Sequence, residues 1–176
     1  AITAGQAANA GRFVLASIHA RDAAAAIDSM HYLGIPTYLI GGSMRLVIAQ
    51  DLLRNLCRQC AKQRAINDDE KEIFEAEKVD CPDQVWEPVG CETCQQRGYV
   101  GRIGIFEVVP ITDELGRQIS AGTHQTKLRD IIRKSGIRSM LADALEKAAA
   151  GVTSMREVVQ LYAPGGEILE HDHAPA

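Results

Sequence analysis

Two Cys-x-x-Cys pairs, Cys57/Cys60 in "NLCRQC" and Cys91/Cys94 in "GCETC", enclose residues 61–90, and no other feature of the chain restricts its fold as much. A Cys-x-x-Cys turn lets two thiolates converge on one ion, and two such turns complete a closed tetrahedral site of the structural zinc type. With Cys57, Cys60, Cys91 and Cys94 as ligands no position is left for water, so such a site organises the fold rather than catalysing. Glycines Gly90 and Gly98 flank the second pair and let the backbone bend around an ion. A redox dithiol, buried free thiols and an iron–sulfur cluster stay open as alternatives, because thiolates suit all of them. Cys81, which precedes Pro82, reads as an ordinary structural cysteine.

The chain has 176 residues, 46% of them hydrophobic, enough to bury a core without help from a metal. The cysteine site is therefore a local device. A formal net charge of −4 and 5% aromatic residues offer neither an electrostatic pull towards nucleic acid nor many surfaces for stacking bases. No run of 18 apolar residues occurs, and the first residues, "AITAGQAANAG", lack the basic start and apolar block of a secretory signal. The expectation is a cytoplasmic chain whose cysteines serve metal rather than disulfides.

The run "RFVLASI" at residues 12–18 has the continuous apolar pattern of a strand covered on both faces. His19 ends it, where ligands gather in open α/β sheets. Asp22 is placed to cap an Ala-rich helix that Gly34 and Pro36 stop. Residues 38–56 put Leu46, Ala49, Leu53 and Leu56 on one helical stripe, after a break at Gly41 and Gly42, and that helix is expected to deliver Cys57. Residues 61–90 are acidic and polar with one short helix. "GYVGRIGIFEVVP" predicts a tight turn feeding a strand, and helices follow, with Thr112 and Ser154 as caps and Gly136 and Gly151 as stops. Tail residues 163–176 show no periodicity and are expected to fray; His171, Asp172 and His173 there read as a solvated terminus. His31 and His124 have no constellation around them.

Five stretches together resemble one family, the motor ATPases of type II secretion and type IV pilus assembly. They are "GRFVLASIHARDA", "GIPTYLIGGSMRLVIAQDLLRNLC", the four cysteines, "GYVGRIGIFEVVP" and "AGVTSMREVV", in the family's order and across residues 1–162. The resemblance implies an α/β fold: the C-terminal part of a RecA-like P-loop ATPase domain (residues 1–56), a tetracysteine zinc module (57–101), a strand with a helical C-terminal region (102–162) and a flexible tail (163–176). It assigns His19, in "SIHARD", to the histidine box whose imidazole lies near the nucleotide γ-phosphate, as the catalytic residue. Arg12 stands where the family often has His, and its guanidinium suits a phosphate, which makes it the cofactor-binding candidate. Asp51 replaces a cation usual after Gln50, a change that weakens nucleotide handling.

The resemblance further implies a homo-hexamer at the cytoplasmic face of the inner membrane, working with platform and docking proteins of the secretion or pilus machine. ATP and magnesium would serve the longer protein and zinc the module. The module places the chain with secretion or extension motors, since retraction motors of the family typically lack it. No GxxxxGK[ST] occurs in these residues, so the backbone cradle and lysine that hold a triphosphate are missing. The expectation is a C-terminal piece that does not hydrolyse ATP alone. The rival from another class is a zinc-ribbon adaptor for a protein or nucleic acid. Between Cys57 and Arg102, however, 10 acidic residues face 7 basic ones, a poor surface for phosphates.

Overall fold

The computed structural model describes residues 2–162, a mixed α/β chain whose backbone forms two compact units. Among the described residues, one comprises 2–51 and 106–140, the other 52–105 and 141–162. Two long strands, β1 (Leu46–Leu56) and β4 (Tyr99–Pro110), pair with each other and pass from one unit into the other. Hydrogen bonds from Ile111 N–H to Arg45 O (2.9 Å) and from Cys57 N–H to Gly98 O (2.9 Å) show that the pair runs antiparallel.

In the first unit, helices α1 (Ile2–Asn9), α2 (Ala23–Tyr32), α3 (Thr37–Ser43), α5 (Asp113–Ser120) and α6 (Gln125–Lys134) accompany the strand ends. Its core gathers Ile27, Leu39, Ile40, Val109, Leu115, Ile119, Leu128 and Ile132. Asp22 caps α2 as the sequence predicts: Oδ1 accepts Ala25 N–H at 2.7 Å, and Oδ2 takes the Arg129 guanidinium from α6 at 2.8 Å. Gly41 does not break a helix. It lies inside α3, where an added Cβ would stand 2.3 Å from the Gly116 carbonyl oxygen of α5, so glycine there allows two backbones to touch.

Two expectations fail in this unit. Residues 46–56 form a strand, not a helix. Their exposure alternates over 46–50, with Val47 and Ala49 buried and Leu46 and Ile48 exposed, a period of two that pairing with the Val-rich β4 imposes over the helical stripe. Residues 12–18 form no regular secondary structure and join no sheet, and Phe13 and Leu15 are 90% and 84% exposed. A strand covered on both faces needs flanking strands and packed layers. Among the described residues, strands pair only as β1 with β4 and as residues 62–65 with 84–87, so the apolar run has nothing to enter.

The second unit holds the hairpin-like pair β2 (Lys62–Ala65) and β3 (Gln84–Glu87), antiparallel with Arg64 opposite Val85, and between them α4 (Asp68–Glu77). The sequence predicts the helix and not the two strands. Asn67 and Glu70 form a reciprocal capping box, and the Glu70 carboxylate also takes Arg64 from β2 at 2.5 and 2.8 Å. Phe74 and Val85 are wholly buried, so the acidic insertion owns a small core. Helices α7 (Met140–Ala149) and α8 (Met155–Tyr162) complete the unit with Leu145 and Met155 inside. Gly151, between them at φ +71°, lies so close to Trp86 that an added Cβ would be 2.7 Å from the indole. Expectations for residues 163–176 lie outside the described residues.

Candidate metal centre

Cys57 follows the last residue of β1, and its carbonyl accepts the N–H groups of Cys60 (3.2 Å) and Ala61 (2.9 Å), closing the first turn. The second turn is the short 3-10 segment Glu92–Cys94. Gln95 and Gln96 then take left-handed φ of 54° and 63°, and Gly98 at φ +76° leads into β4. Both pairs thus sit at the same end of the β1–β4 ladder. The four Sγ atoms lie within 4.8 Å of one another, with 3.8 Å between Cys57 and Cys91, 3.8 Å between Cys60 and Cys94 and 3.7 Å between Cys91 and Cys94.

These distances discriminate between chemistries. A disulfide holds its sulfurs at about 2.05 Å, so none of these contacts is one. A zinc ion with Zn–S of about 2.3 Å at the centre of a tetrahedron separates its sulfurs by about 3.8 Å, which the observed spacings match. The four residues therefore fit a single tetrahedral ion. Three backbone N–H groups also point at sulfur: Gly90 to Cys60 (3.3 Å), and Cys91 and Gly98 to Cys94 (both 3.2 Å).

The same surroundings separate the thiols electrostatically. Burial works to raise Cys94, but the N–H donors of Cys91 and Gly98 and the neighbouring thiols outweigh it and bring that thiol down to about 6. Burial and the adjoining thiols push Cys60 up to about 11, against a lowering by Gly90 N–H. Four sulfurs in contact cannot all ionise without a cation among them, which is the charge a thiophilic dication supplies.

Behind the centre lies a polar group that sequence reasoning missed. Glu157 of α8, 5% exposed, accepts the Arg54 guanidinium (2.6 Å) through one oxygen and Arg54 N–H (3.1 Å) through the other. That pairing holds the guanidinium firmly protonated. Arg54 lies 4.2 Å over the Tyr99 ring, whose hydroxyl shares a 2.7 Å hydrogen bond with Ser154, and burial pushes the Tyr99 phenol up. Thr153 Oγ1 donates to Arg54 O (2.8 Å), and Leu56 N–H donates to Val152 O (2.9 Å). The only trace of this in the sequence is the Ser154-x-x-Glu157 spacing, which reads as a helix cap; Ser154 does meet Glu157 N–H, at 3.4 Å.

Cys81 is exposed, and its thiol faces the Pro82 carbonyl at 3.7 Å. His124 caps α6, its Nδ1 accepting Thr126 N–H at 3.3 Å. Arg12 and His19 are both exposed, at opposite ends of a segment of the first unit that has no regular secondary structure. The structure brings the four cysteines together and gives neither Arg12 nor His19 a built site.

Comparison with known proteins matches residues 1–160 to the family described as Type II/IV secretion system protein. The chain belongs to that family. Among its relatives, the type IV pilus assembly ATPase TfpB of Acinetobacter baylyi is 32% identical over 160 residues, covering 89% of this chain and 27% of the relative. The type II secretion system protein E of Aeromonas hydrophila is 36% identical over 157 residues, covering 89% and 31%. The type IV pilus assembly ATPase PilB of Myxococcus xanthus is 35% identical over 164 residues, covering 90% and 28%. This Type II/IV secretion system chain thus spans about three tenths of the length of the curated relatives it matches. None of its described helices is long and apolar enough to cross a membrane.

Proposed function

We infer that this chain is the part of a secretion or pilus-assembly motor ATPase that carries the metal module, and that zinc holds its second unit together. The observation that carries the reading is the conjunction of a family match over residues 1–160 with four sulfurs at tetrahedral spacing. On this reading residues 1–56 belong to a RecA-like core, residues 57–101 form the zinc module and residues 102–162 a strand with a helical C-terminal region. The exposed apolar segment 12–18 takes its place in a sheet that the rest of the motor completes.

In that assembly His19 reaches towards the γ-phosphate and Arg12 towards a phosphate oxygen, ATP and magnesium being held by a P-loop these residues do not include. The motor is a hexamer at the cytoplasmic face of the inner membrane, where hydrolysis moves subunits against platform and docking proteins to build a pilus or pseudopilus. The cysteine ligands supply no chemistry to hydrolysis. They fix the start of β4 and the end of β1.

Grafting residues 1–160 into a pilus-assembly relative in place of its matching segment tests the reading. The exchanged motor is expected to hydrolyse ATP and to lose hydrolysis on His19→Ala, and the isolated chain to turn over no ATP. An exchanged motor that folds, binds zinc and assembles nothing would argue for an adaptor instead, as would steeply salt-dependent DNA binding by the isolated chain.

A further inference from the structure

Gly98 is bonded to both cysteine pairs. Its N–H donates to Cys94 Sγ at 3.2 Å, and its carbonyl accepts Cys57 N–H at 2.9 Å. Its backbone has φ +76°, a conformation that disfavours any residue with a Cβ. The space is closed as well, since an added Cβ would stand 2.4 Å from Pro88 Cβ and 3.1 Å from Pro88 Cα. A proline ring cannot rotate aside, so a side chain at residue 98 displaces backbone, and with it both hydrogen bonds. Four thiolates around a dication leave two negative charges in excess, and an N–H dipole directed at a sulfur offsets part of that excess.

We propose that Gly98 is the positioning residue of the metal centre, setting its metal affinity through the N–H it directs at Cys94 and the carbonyl by which it anchors Cys57. The proposal rests on the metal reading above. Gly101 provides the comparison. It has nearly the same φ, +75°, on the same strand, but its nearest neighbour to an added Cβ is Asn55 Nδ2 at 3.9 Å. Gly101→Ala therefore imposes the same backbone strain without touching a sulfur.

The test uses the whole chain, titrated with cobalt(II) while the sulfur-to-cobalt charge-transfer band is followed, and then back-titrated with zinc. Wild type is expected to bind one cobalt through sulfur. Gly98→Ala is expected to bind about 10- to 100-fold more weakly, whereas Gly101→Ala keeps wild-type affinity. Because Gly98→Ala can fail to fold, a second variant replaces the amide at residue 98 by an ester, made by ligation at Cys94, which deletes the N–H and keeps the shape. That variant is expected to weaken binding and shift the charge-transfer band. Wild-type affinity in both residue-98 variants overturns the positioning role alone. A wild-type chain that takes up no cobalt through sulfur overturns the metal reading and this role together.

Discussion

Replacing Glu157 by Gln measures how firmly α8 is fastened to β1. One Glu157 oxygen takes the Arg54 guanidinium at 2.6 Å and the other takes Arg54 N–H at 3.1 Å. A glutamine keeps one acceptor and turns an NH2 donor against the other partner. A hydrogen bond to a charged group contributes about 1.5–3 kcal/mol. The Arg54 side chain is 38% exposed, so solvent screens the ionic part, and the lower half of the range, roughly 1.5–2 kcal/mol, applies. Trp86, the sole tryptophan, packs on Gly151 in the turn before α8 and reports on this unit by fluorescence. In urea, with an m-value of about 1–2 kcal/mol per molar, the Glu157→Gln midpoint is expected to fall by about 1 M or more at unchanged m. Metal is held at one concentration in both samples, so that the difference reports the hydrogen bonds. A midpoint within 0.2 M of wild type, roughly the error of such fits, would refute the claim that these bonds fasten the helix.

Other outcomes follow from the same geometry. Chelation is expected to abolish the Trp86 signal of a folded second unit, because a structural zinc contributes roughly 10–16 kcal/mol against a whole-domain stability of about 5–15 kcal/mol; circular dichroism that is unchanged after metal removal would contradict this. Gly41→Ala is expected to destabilise the first unit by roughly 2–3 kcal/mol through the 2.3 Å approach to Gly116 O, whereas Gly42→Ala, with nothing within 4 Å, is expected to be neutral or to stabilise by up to about 1 kcal/mol; thermal melts compare the two. Burial works to raise the Glu70 carboxyl, but Arg64 and Asn67 N–H outweigh it and hold it below the ordinary 4.5, so its stabilisation is complete above that value and is lost as pH falls through the lower folded one. Acid titration of wild type and Glu70→Gln should therefore show the gap between their stabilities closing only below about pH 4.5.

Features whose physics is local were legible in the sequence. Asp22, Thr112 and Ser154 act as caps because a side-chain oxygen answers an N–H three residues on, and Gly136 and Gly151 end helices at positive φ. The four cysteines were legible because residue identity nearly fixes their chemistry, though the directed N–H groups were not. What failed was decided at long range. Leu46, Ala49, Leu53 and Leu56 fit a helix stripe on paper, yet the partner strand that begins at Tyr99 sets the period. Strands β2 and β3 are four residues each, too short and too polar to alternate visibly. Arg54 and Glu157 are 103 residues apart, and neither announces the other.

The position of the sulfurs has a consequence for the acidic insertion. Residues 61–90 leave and return through one neck, drawn tight between Cys60 and Cys91. By the arithmetic of closed loops, bringing the ends of a segment of that length together costs roughly 4 kcal/mol of chain entropy, which metal binding offsets. The strands at the neck experience a short connection, however long the excursion beyond it. Trp86 on Gly151, Pro88 beside Gly98 and Gly90 on Cys60 stay tied to the centre, so it is the excursion between β2 and β3 that can lengthen or shrink with least effect on the ladder, which makes it the natural place for members of the family to diverge.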